Sequence, residues 1–179
     1  MGKFFFLLWK NWALRVSIES VLFGFFLAFL MSGYIYIKKG LVDVNQETMS
    51  ALLDIFFFWF GVLWNVGLLI ALFRSIKFVF NRCYNGYMLR LFTCKQDDYI
   101  EPIGYGDLIK VWRRWFLILI WSVAFEILIG SIVMRFGFGK TELFSWLGSG
   151  VLFGFVLLGG YISFWVLSGW CKRVKVVVC

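Results

Sequence analysis

Four stretches of the chain are apolar without alternation, at residues 17–37, 51–73, 115–134 and 143–170. Each reaches the ~20 residues that an α-helix needs to cross a hydrocarbon core about 30 Å thick. In lipid only helices and closed barrels satisfy every backbone group, and a barrel strand would alternate apolar with polar side chains. The pattern therefore predicts an all-α integral membrane protein, a single membrane domain over residues 1–179 with four transmembrane helices. Residues 1–15, MGKFFFLLWKNWALR, make a shorter apolar stretch interrupted by Lys3, Lys10 and Arg15. They are predicted to form an N-terminal interfacial amphipathic helix, with Trp9 and Trp12 at headgroup depth. No small-residue cleavage site precedes the first span, so the stretch does not read as a cleaved signal. Residues 74–114 form the longest connection. Its start, RSIKFVFNRCYNGYMLRL, is predicted to continue the second helix along the membrane surface until Gly86 bends or ends it.

Charge sets the orientation. Fourteen of the 18 basic residues lie before the first span, between the second and third, or after the fourth. The positive-inside rule then places both termini and the 74–114 loop in the cytoplasm. The same positions change the meaning of the formal charge of +8. Cations beside apolar spans attract anionic lipid headgroups on the cytoplasmic side, and the expected partner is that bilayer and not nucleic acid. Cys83, Cys94, Cys171 and Cys179 all fall on this reduced side, so disulfides are not expected. Their spacing matches no metal-binding pattern, and the absence of histidine removes the usual haem ligands and the commonest general base. No cofactor, no metal and no enzymatic activity are predicted. Five alanines, three threonines and one proline beside 23 phenylalanines suggest a cytosine-poor gene, so a bacterial inner membrane is expected, or an organelle inner membrane.

Within this frame, small residues point to helix contacts. Ser20, Gly24, Ala28 and Ser32 recur every four residues and form one stripe on the first span. Gly67, Ala71 and Ser75 do so on the second, and Gly150 with Gly154, and Gly159 with Ser163, on the fourth. Such stripes let backbones approach closely in lipid, within the chain or with a partner. A faint echo links Trp9-Lys10-Asn11-Trp12 with Trp112-Arg113-Arg114-Trp115, each preceding a helical hairpin, as a parallel duplication would place them.

Two features could carry chemistry. Residues 103–107, IGYGD, resemble the selectivity filter of potassium channels, whose loop carbonyls coordinate dehydrated ions. Pro102 stands where that filter has threonine, the preceding residues are charged, and the charge bias puts the string in the cytoplasm. It reads instead as a glycine-rich turn before Asp107 caps the third span. Glu126, in the middle of the third span, is expensive there as a carboxylate, and Ser122 and Gly130 flank it one turn away. Asn65 on the second span lies at similar depth and could bond to it. Glu126, Asn65 and Ser122 therefore form a candidate intramembrane polar site. It serves either as a proton or cation relay or as polar glue between helices. Asp54 and Glu19 are expected in first helical turns, where the helix dipole eases their charge. The predicted function is that of a non-catalytic subunit or scaffold of a membrane complex, packed against other membrane proteins or its own copies. The alternative is a small ion channel or a proton- or cation-coupled transporter using Glu126.

Overall fold

A computed structural model describes residues 2–40, 45–92, 104–138, 146–170 and 174–179. Four helices dominate: α1 (Gly2–Lys38), α2 (Gln46–Ile76), α3 (Tyr105–Phe138) and α4 (Ser149–Trp170). All four are long and apolar enough to cross a membrane. Three short strands join them: β1 (Cys83–Tyr84), β2 (Tyr87–Leu91) and β3 (Val174–Val178). The chain divides into two compact units, one of Met1–Ala13 with Lys77–Cys179, the other Leu14–Ile76.

The predicted break between an interfacial helix and the first span does not exist. Helix α1 runs unbroken for 37 residues, about 55 Å at 1.5 Å per residue. Its buried face explains why. Phe4, Leu8, Trp12 and Val16 are buried at the same four-residue interval as Ser20, Gly24, Ala28 and Ser32. One continuous stripe serves both halves, and large side chains give way to small ones along it. The charge at Arg15 does not interrupt the helix, because its Nε lies 2.8 Å from Glu19 Oε1 one turn on.

In the unit Leu14–Ile76, α1 and α2 approach through glycine. A Cβ at Gly67 would come 2.8 Å from the Ser20 carbonyl oxygen and 2.9 Å from the Gly24 nitrogen. A Cβ at Gly24 would stand 2.9 Å from the Trp64 Cα. The Trp64 indole donates to Ser20 Oγ at 3.2 Å, and that hydroxyl donates to the Ser17 carbonyl at 3.0 Å. Ala71 and Ser75 are buried on the same α2 face as Gly67.

The other unit packs with rings. Leu108, Val111, Trp115 and Leu119 line the buried face of α3, and Phe164 and Leu167 face it from α4. Trp12 meets Trp115 and Phe164 edge to face, at 5.7 and 5.3 Å between centroids. Its ring lies directly on Gly160, where any Cβ would collide with it. The echoed tryptophans Trp12 and Trp115 are therefore neighbours.

Beyond Ile76 the structure departs from an all-α fold. The predicted surface helix over residues 74–91 stops at Ile76, and a hairpin follows. Strands β1, β2 and β3 form an antiparallel sheet in that order, with Tyr84 opposite Tyr87 and Leu91 opposite Val174. Asn85 and Gly86, at φ 52° and 80°, supply the left-handed pair that a two-residue hairpin requires. The five-residue strand VKVVV, rich in β-branched side chains, completes the sheet. A disulfide joins Cys83 to Cys179 across 96 residues, contrary to the expectation of free thiols. Pairing of β3 with β2 brings the last residue back to the hairpin, where the Cys179 amide donates to the Gly86 carbonyl at 2.9 Å. Cys94 and Cys171 lie outside the described residues.

Candidate polar site on helix α3

Helix α3 carries Glu126 between two close contacts of its own unit. One turn before it, Ser122 and its neighbours receive Gly159 of α4, where a Cβ would stand 3.2 Å from Val123 Cγ2 and 3.4 Å from Ser122 Cβ. One turn after it, the Trp146 ring covers Gly130, leaving 2.5 Å to any added Cβ. Glu126 thus sits in the seam that α3 makes with α4 and the residues leading into it. Both of its carboxyl oxygens are buried, with no hydrogen-bond partner among the described residues. An unpaired carboxyl in such a place costs stability, most of all when ionised.

The companions named by sequence turn elsewhere. Ser122 donates its hydroxyl to the Ile118 carbonyl at 2.9 Å, within its own helix. Asn65 is exposed and donates to the Gly61 and Val62 carbonyls at 3.0 and 3.5 Å, again within its own helix. What remains at the site is a lone acid, capable of taking up or releasing a proton but without a second titratable group beside it in the described structure.

The other acids also sit differently. Because α1 starts at Gly2, Glu19 is well inside the helix, and the dipole of a first turn does not reach it. Arg15 holds it instead at 2.8 Å, while Arg74 of α2 stands with its Nε 3.9 Å from the second carboxyl oxygen, which has no hydrogen-bond partner among the described residues. Asp54 likewise lies past the first turn of α2, on an exposed position. In the filter-like string, Ile103 is outside the described residues. The rest is helical: the Leu108 amide donates to the Gly104 carbonyl at 3.1 Å, and Tyr105, Gly106 and Asp107 form the first turn of α3. Asp107 is inside that turn and not the cap before it. It favours the positive helix end from there and lies 3.8 Å from Lys110.

On α4, Gly159 and Ser163 are packed, with Ser163 fully buried. Among the described residues nothing lies within 4 Å of a Cβ at Gly150 or Gly154. Sequence reasoning missed Trp9 as a fastener. Its indole donates to the Leu157 carbonyl at 2.7 Å, tying the start of α1 to α4. An aromatic residue beside a lysine is equally at home at a membrane interface, so the sequence held no signal to separate the two roles.

Comparison with known protein families, curated proteins and solved structures finds no match. The fold itself defines the class: among the described residues, four helices long and apolar enough to span a membrane, with a small sheet at one end of the third and fourth.

Proposed function

We propose that the chain is a multi-pass protein of a bacterial or organellar inner membrane, with both termini and residues 74–114 in the cytoplasm. It serves as a non-catalytic subunit or scaffold that packs against other membrane proteins or its own copies. The observation that carries this reading is where the apolar surface lies. Phe136, Trp121 and Trp165 remain 81%, 74% and 66% exposed on helices long enough to span a bilayer. Soluble domains do not leave such surface to water. Gly150 and Gly154, open on α4, add a place where another helix could approach closely. Basic flanks supply attraction to anionic lipid.

The test is extraction of tagged protein in mild detergent after cross-linking in the membrane. A stable partner or homo-oligomer should be recovered, and Gly154→Leu should remove it while Glu126→Gln leaves it intact. Recovery of a solitary chain in both native and cross-linked material contradicts the scaffold.

A second reading rests on Glu126 alone. Two buried carboxyl oxygens without hydrogen-bond partners among the described residues suit a proton or cation relay. It predicts ion flux in proteoliposomes that Glu126→Gln abolishes. Absence of flux from the unaltered protein removes it.

A further inference from the structure

A groove of about 750 Å³ opens along α3 and α4 within one unit of the structure. Leu117, Trp121 and Phe125 form one wall, at helical spacing, and Val166 and Leu167 form the other. Among the described residues, the polar wall side chains are Arg114 and Ser122, and the Ser122 hydroxyl is turned to the Ile118 carbonyl. The groove is therefore apolar along its length and cationic at one end. From Arg114 to Phe125 it runs about 16 Å at 1.5 Å per residue. Arg113, also exposed, stands on the same end of α3, whereas Lys110 there lies 3.8 Å from Asp107.

We propose that this groove holds one phospholipid with an anionic headgroup, the phosphate at Arg114 and an acyl chain against Leu117, Trp121 and Phe125. This rests on the membrane reading above and goes beyond general attraction to an anionic surface. The charge complementarity is at a defined position, and the chain-binding wall continues directly from it. Basic pockets between membrane helices recognise anionic headgroups in this way. Glu126 is not part of the groove wall, so the site is distinct from the lone acid.

The experiment uses the full chain in nanodiscs of mixed phosphatidylglycerol and phosphatidylcholine, released into detergent and weighed by native mass spectrometry. One phosphatidylglycerol should stay bound in preference to phosphatidylcholine. Arg114→Gln should reduce that preference about fivefold, the weight of one cation near an anionic headgroup. Leu117→Trp, which narrows the groove without changing charge, should also reduce retention. Arg135→Gln, an exposed cation near the far end of α3, should not. Equal retention of both lipids, an unchanged preference in Arg114→Gln, or a dimer in place of the lipid-bound monomer overturns the proposal. Failure of the protein to enter nanodiscs at all would instead remove the membrane reading on which it stands.

Discussion

In the unit Leu14–Ile76 Gly24 and Gly67 meet backbone, whereas in the unit of Met1–Ala13 and Lys77–Cys179 Gly130 and Gly160 meet tryptophan rings. Gly67 faces the Ser20 carbonyl and the Gly24 amide nitrogen, and Gly24 faces the Trp64 Cα. Gly160 and Gly130 face the rings of Trp12 and Trp146. The two arrangements bury comparable small positions but differ in what must move if they are enlarged. A backbone can yield only by separating two helices. A ring can be trimmed. The second unit also has a covalent closure that the first lacks, the Cys83–Cys179 bond.

That closure gives the largest expected effect. Cys83→Ser in oxidised protein should lower stability by about 2–4 kcal/mol, the usual worth of a disulfide closing a long loop. Thermal unfolding in micelles reads this, and reductant should bring the unaltered protein to the same value. Hydrogen exchange should rise in β1, β2 and β3 and stay constant in α2, which carries no cysteine. Next come the two kinds of glycine. Gly67→Ala and Gly160→Ala should each cost about 1–3 kcal/mol through overpacking. Trp12→Phe should relieve the Gly160→Ala defect, while no side-chain truncation should relieve Gly67→Ala, because its clash is with main-chain atoms. A double-mutant cycle in the same micelles measures both couplings. Equal rescue of the two would erase the distinction. The smallest effect belongs to Gly154→Ala. With nothing near its Cβ, stability should be unchanged or rise by less than about 1 kcal/mol from helix propensity.

Sequence revealed the helices because each is a local signal. A run of some twenty apolar residues needs no distant partner to be recognised. The stripe at Ser20, Gly24, Ala28 and Ser32 was legible for the same reason, although its beginning at Phe4 was hidden by the change from large to small side chains. The sheet was not legible. Residues 74–91 carry apolar positions that fit a helical period as well as a strand, and short runs do not separate the two. The Asn85–Gly86 pair was the signal for a hairpin, but β2 also needs Val174–Val178, far along the chain, before pairing becomes evident. Glu126 was visible as an acid in an apolar run, but its isolation was not. The Asn65 amide donates to carbonyls of its own helix, a bond that an apolar run around it does not announce.

The same contrast sharpens the question of sides. The proposed orientation would put the sheet in the cytoplasm, where thiols are kept reduced, yet the sheet is where Cys83 and Cys179 are joined. In the proposed orientation that bond forms only when the cytoplasmic face is oxidised. The most direct test places single thiols on opposite sides, one chain keeping only Cys94 and another carrying only Gln46→Cys. A membrane-impermeant maleimide is applied to intact and to opened cells. The proposed topology predicts labelling of Gln46→Cys in intact cells and of Cys94 only after opening. Labelling of Cys94 from outside would contradict it, reverse the chain in the membrane, and put the Cys83–Cys179 bond on an oxidising side.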